Sequence, residues 1–457
     1  MPATWRFLRS LASTVTPDAI LRRLRERPNL RKVAGNTAWR YADQILRMTV
    51  GFLVGTYVAR YLGPEQFGLF NFASATIALV GSLSSLGLDT VVIKHLCQES
   101  EQANEILGSS FAMRTLGGAI GLSIALVLGL TTKAAGSDDQ WVIIILALSL
   151  PFLGFDTIDL WFQSRLESRS TIMAKALPYL ACSLAKVALV MLQCSVLPFA
   201  VVVLLESMTA ALGLVLAYTR QRRYVRQWHT SLRRSLALLN ESWPLIINGF
   251  AILVQARIDQ LLLGQMLGNH DLGLYSAAVR VSEVFNFIPV VLVTSVFPAM
   301  LKTWKEDPAL ARKRLLDLYR LMTWISLAIA VPVSVFAGEI MSLLYGTRFL
   351  GAEGILAMFA WTRFLTAFGM ARGIVIAAEG RFRFSMVCAV VGSALNVGLN
   401  ILLIPHFGCI GSVAAMMLSF VVTTFVLDLL YPPMRPNFVA MIHGMVTFPR
   451  LVLALRR

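Results

Sequence analysis

Charge is scarce in this chain: Asp, Glu, Lys and Arg make up only 14% of its 457 residues, against about a quarter in an ordinary soluble domain. Too few polar side chains remain to cover a core, which excludes a conventional soluble enzyme. Cysteine is rare as well. The five present (Cys97, Cys182, Cys194, Cys388 and Cys409) show no CxxC spacing and most fall in apolar runs, so neither a disulfide framework nor a zinc site is indicated. The five histidines (His95, His229, His270, His406 and His443) form no HxxxH or HExxH pair, and no metal or cofactor is expected. A P-loop, GxxxxGK[ST], is also missing, so energy for any transport would come from an ion gradient, the substrate gradient or another protein. Nor is a cleavable signal peptide expected, because seven arginines from Arg6 to Arg31 precede any sustained apolar run.

What the chain has in abundance is apolar sequence: 57% of residues are hydrophobic, and the mean hydropathy is +0.69. A helix needs about 20 apolar residues to cross a hydrocarbon core, since every backbone N–H and C=O must be satisfied within the segment. By that criterion roughly twelve spans are predicted. The fold class is therefore an all-α polytopic membrane protein, organised as two parallel six-helix bundles around a central cavity. The predicted regions are a basic amphipathic N-terminus (1–35), a first bundle (36–218), a basic linker (219–242), a second bundle (243–431) and an amphipathic tail (432–457).

Lys and Arg outnumber Asp and Glu by 41 to 25. In a soluble protein the resulting charge of +16 would point to nucleic acid. Here the basic residues sit in short segments between apolar runs, where anionic lipid is the expected partner and nucleic acid is not. About thirty of them fall in alternate loops, against only Lys133 and Arg348 in the others. Such a bias places both termini in the cytoplasm.

The sequence also repeats. LGPEQFGLF (Leu62 to Phe70) returns as LGNHDLGLY (Leu267 to Tyr275), in register at Leu62/Leu267, Gly63/Gly268, Gly68/Gly273 and Leu69/Leu274. Each copy marks the outer turn between the first two spans of a six-span set. A glycine ends one helix, Pro64 suits the first position of the next, and Glu65 or Asp271 complements the helix N-terminus.

Ionisable groups at bilayer depth are costly and normally face an aqueous cavity or a polar partner. Arg40, Asp43, Gln44 and Arg47 share a face of the first span, Asp156, Asp159 and Gln163 one of the fourth, and Asn248, Gln255 and Asp259 one of the seventh. Arg257 and Asp259 point about 200° apart, so they cannot line one wall. The repeat puts Phe52 and Val54 at their positions, so these charges are additions to a shared scaffold. Arginine offers a permanent planar donor array for phosphate oxygens, and a partly dry carboxylate can couple to protons or sodium. The expected cationic cavity comprises Arg47, Lys186, Arg257, Arg280, Arg363 and Arg372. Candidate coupling carboxylates are Asp43, Asp156, Asp159, Asp259 and Glu283.

Asn36 to Ala75, with SLGLDTVVIKHL (Ser85 to Leu96) and LGNHDLGLYSAAVRVSE (Leu267 to Glu283), resembles the bacterial polysaccharide (O-antigen type) flippases of the multidrug/oligosaccharidyl-lipid/polysaccharide exporter superfamily. The resemblance implies flipping of undecaprenyl-diphosphate-linked oligosaccharide across the bacterial cytoplasmic membrane by alternating access. It further implies H+ or Na+ as coupling ion, a polysaccharide polymerase and chain-length machinery as neighbours, and no catalysis. A multidrug antiporter of the same superfamily would give the same hydropathy but would favour carboxylates over basic groups in its cavity. A membrane glycan polymerase or ligase would need a large loop with paired catalytic groups, and every outer loop here is short.

Overall fold

The computed structural model describes residues 28–85, 87–132 and 136–449. The predicted amphipathic segment before residue 28, and Lys133, lie outside the described residues. Among the described residues the chain is all helix and turn, with nine helices long and apolar enough to cross a membrane. The principal helices run as α1 (Pro28–Ser85), α2 (Leu88–Gln98), α3 (Ala103–Thr132), α4 (Asp138–Ala147), α5 (Asp156–Ser164), α6 (Ser168–Met191) and α7 (Val196–Arg220). They continue as α8 (Leu232–Met266), α9 (Asn269–Phe285), α10 (Phe287–Glu306), α11 (Pro308–Val335), α12 (Ala337–Tyr345), α13 (Glu353–Ala378) and α14 (Phe382–Val421). After one π turn (Val422–Val426), α15 (Leu427–Leu430) and α16 (Arg435–Thr447) close the order.

Two of these elements are broken where the sequence supplies a glycine. Gly63 takes φ 73°, a left-handed backbone that ends the first half of α1, and Pro64 opens the second half with its ring already set for a helix. Gly408 at φ 57° interrupts α14 in the same way. The predicted first and second spans thus appear as the two limbs of one bent element.

The chain forms two compact units: Lys32–Ala277 with Leu344–Phe349, and Ala278–Leu343 with the described chain from Leu350 onward. The division between these units falls inside α9.

In the first unit, Leu88, Val92, Ile106, Ile158, Trp161, Leu214, Tyr218 and Leu238 build a buried core across α2, α3, α5, α7 and the start of α8. Lipid is as apolar as leucine, so small residues and polar contacts hold membrane helices together more than hydrophobic exclusion does. The repeated turn shows how close that packing becomes. A Cβ added to Gly68 would sit 1.7 Å from the Asn269 carbonyl oxygen, and one added to Gly273 would sit 2.0 Å from the Pro64 oxygen. Those four residues are matched pairs in the repeat. Each copy lays its glycine on the other's helix start, which is the geometry of a local two-fold axis. In the second unit, α10, α11, α13 and α16 enclose Met300, Tyr319, Met322, Phe368, Ile374, Met434 and Met441.

Candidate functional site

In the second unit, α9 carries Arg280, Ser282 and Glu283, and α13 brings Arg363 onto Ser282. Arg363 donates from Nη2 and Nε to the Ser282 hydroxyl oxygen at 3.1 and 3.3 Å. Ser282 donates its own proton to the Val279 carbonyl at 2.8 Å, which leaves its lone pairs turned toward the guanidinium. The Arg363 guanidinium also lies 5.9 Å from the Phe359 ring centroid. Arg280 and Arg363 are half-buried, and Glu283 is exposed. A half-buried guanidinium beside a hydroxyl and an aromatic ring suits an anionic oxygen cluster.

Arg372, on the same helix, is differently placed. Its Nε and Nη2 meet one Asp428 oxygen at 2.8 and 2.7 Å, and its Nη2 meets the Cys388 sulfur at 3.2 Å. Asn437 donates to the second Asp428 oxygen at 2.9 Å, and Tyr319 donates to Asn437 at 2.8 Å. Arg372, Asp428, Asn437 and Tyr319 are all buried. This relay ties α11, α13, α15 and α16 together and leaves Arg372 no face for a ligand.

Other predicted residues in the first unit are also in ion pairs. Arg47 meets Asp43 at 2.9 Å, one helical turn away. Its guanidinium covers the Tyr179 ring at 4.9 Å, while the Tyr179 hydroxyl donates to the Arg47 carbonyl at 2.9 Å. Lys186 meets Glu206 at 3.2 Å. Asp156 and Asp159 share Lys175, at 2.7 and 3.1 Å. Asp259 is buried, with its oxygens accepting from the Tyr275 hydroxyl and from the Gln260 backbone N–H. Arg257, two residues earlier, stays half-buried. Sequence reasoning missed Glu206, Asp428 and Tyr275, and counted Lys175 only as a loop cation. Glu206 and Asp428 carried the same signal as the residues that were singled out, an acid inside an apolar run.

The basic ends of α2 and α8 carry a second polar network. His95 places Nδ1 2.8 Å from Glu99 and Nε2 2.8 Å from Glu241, and Lys94 meets Glu241 at 2.7 Å. Glu99 also accepts from Arg234, and that contact, followed by His95, holds its carboxyl below the ordinary glutamate range.

Against known families, residues 33–304 match the model of the polysaccharide biosynthesis protein family, more than half of the chain. The chain belongs to this family. The chain is 22% identical over 388 residues to a protein of Haloferax volcanii named a probable low-salt glycan biosynthesis flippase, Agl15, covering 82% of this chain and 78% of that one. It is 23% identical over 341 residues to the succinoglycan biosynthesis transport protein ExoT of Rhizobium meliloti, covering 73% and 67%. A Shigella flexneri protein named for O-antigen transport matches at 20% identity, covering 87% of this chain and 97% of that one. Among solved structures, the lipid II flippase MurJ in an inward closed conformation superposes with a TM-score of 0.71 at 12% identity, covering 90% and 92%. An inward-facing multidrug resistance MATE transporter of the MOP superfamily gives 0.65 at 16% identity, covering 90% and 95%. These likenesses establish the helical membrane fold. The relatives are named as flippases and transporters, not catalysts, as expected of a chain that is not an enzyme.

Proposed function

We propose that this polysaccharide biosynthesis protein flips a polyprenyl-diphosphate-linked oligosaccharide across the bacterial cytoplasmic membrane. In this reading the chain forms twelve spans in two bundles of six, keeps both termini in the cytoplasm, and works by alternating access coupled to H+ or Na+. The observation that carries it is the half-buried Arg363 guanidinium held on the Ser282 hydroxyl, with Arg280 two residues from Ser282 on the same helix, within a family whose relatives are named flippases and transporters. A diphosphate-linked substrate presents oxygens that suit two guanidinium forks, and forks bind such groups by paired, charge-assisted hydrogen bonds. Arg47, Lys186 and Arg372 belong to the scaffold in this reading, since each already holds a carboxylate. Of the carboxylates, Glu283 is the coupling candidate, exposed and adjacent to the arginine pair. Polysaccharide polymerase and chain-length proteins are the neighbours this function would need.

The test is leaflet-resolved flipping of a labelled lipid-linked oligosaccharide in vesicles, comparing the intact protein with Arg280→Gln and Arg363→Gln. Each variant should move substrate at least tenfold more slowly, the loss expected from about 1.4 kcal/mol of one charge-assisted contact. Unchanged rates in both variants would remove the pair from the transport path.

A further inference from the structure

The charge bias of the loops has one exception within the described residues. Arg348 lies in a loop on the side where basic residues are otherwise absent, and it does not stand alone there. The side chain of Arg348 lies over Gly63, with its Nη1 3.9 Å from where a Cβ on that glycine would sit. In return, Arg60 lies over Gly346, with Nε 3.5 Å from the corresponding point. Both glycines have left-handed backbones, φ 73° and 79°, so each turn is bare at the place where the other's guanidinium rests. All four residues belong to the first compact unit.

Two arginines brought together call for a counter-charge, and the neighbouring acids do not supply it. Asp139 accepts from Asn269 at 3.1 Å, and Asp271 faces His270 at 3.4 Å. Glu65, one residue after Pro64, is exposed and makes no ion pair with either arginine. Among the described residues, neither Arg60 nor Arg348 has a carboxylate within ion-pair reach or a hydrogen-bond partner. The helix that ends at Gly63 turns its last carbonyls toward this point, which favours a cation. One guanidinium would meet that need, and Arg60 is already there. The second comes from the distant loop after α12. Both side chains are exposed, so their donor edges remain open to a ligand.

We propose that Arg60 and Arg348 form an anion-binding site for a phosphate or diphosphate group at the end of the membrane opposite the basic loops. The inference rests on the flippase reading for its sense: a lipid-linked diphosphate delivered to that leaflet meets two guanidinium forks as it leaves. The same chemistry fits the phosphate of an anionic membrane lipid, and the experiment separates the two sources.

Full-length protein in phosphatidylcholine nanodiscs is treated with phenylglyoxal, and modification of individual arginines is followed by peptide mass spectrometry. Inorganic diphosphate is the probe, and Arg435 serves as an exposed control. The expected result is that diphosphate slows modification of Arg60 and Arg348 together and leaves Arg435 unaffected. Replacing Arg60 by Gln should raise the diphosphate concentration needed to protect Arg348 by about tenfold, or roughly 1.4 kcal/mol. Protection in phosphatidylglycerol nanodiscs without added diphosphate would support the site with a lipid headgroup as its occupant. Equal modification rates under all three conditions would overturn the proposal. Flipping plays no part in this readout, so failure of the transport reading and failure of this site are told apart.

Discussion

On α13, Arg363 rests its guanidinium against the Ser282 hydroxyl and stays half-buried, whereas Arg372, two and a half turns further on, is sealed against Asp428. Both are arginines inside an apolar helix, and the sequence offers no way to rank them. What separates them is the partner. A hydroxyl accepts from a guanidinium without bringing a negative charge to it. A carboxylate, further held by Asn437 and Tyr319, consumes the charge and turns the arginine into a joint between helices.

The comparison can be broken most forcefully at Asp428. Replacing it by Ala leaves Arg372 buried without a counter-charge, a loss of about 3–5 kcal/mol, which thermal unfolding in detergent should register as a large drop in midpoint or as failure to fold. An unchanged midpoint would show that the sealed arginine is not a joint. Next in size is the repeat contact: Gly273→Ala forces a Cβ against the Pro64 oxygen and should cost about 1–3 kcal/mol by the same measurement. Arg363→Gln sharpens the contrast from the other side. Its unfolding midpoint should move by less than about 1 kcal/mol in equivalent stability, since the pair it breaks is half-exposed, while flipping falls as stated above. The smallest effect concerns Glu99. Its folded carboxyl is held below the ordinary range by Arg234, so the contact stabilises above that range and is lost as pH falls through the lowered value. Glu99→Gln should therefore flatten the acid limb of a stability–pH profile, below the ordinary glutamate range, and change little near neutrality.

The helical membrane fold was legible in the sequence because its signals are local: apolar runs of spanning length, and a glycine followed by proline where α1 bends. The repeat was legible for the same reason, and its four matched residues meet in space. The site was legible only in part. Helical spacing locates polar faces: it puts Asp43 and Arg47 on one face, one turn apart, but does not say that they hold each other in an ion pair. Partners that arrive from another helix leave no such trace. Asp428 reaches Arg372 from 56 residues away, and Glu206 reaches Lys186 from 20. Six cations thus looked equivalent along the chain, and three of them hold carboxylates. The crossing of Arg60 with Arg348 was equally invisible, since it depends on two loops folding onto each other's bare turns.

The glycine contact between the two copies of the repeat has a mechanical corollary. Surfaces that meet through bare backbone carry no interlocked side chains, so the seam closes without any rotamer having to fit. Any bulk introduced at Gly68 or Gly273 becomes a wedge. A tryptophan at either position would have no room beside the facing carbonyl oxygen and would drive the two copies apart at this contact.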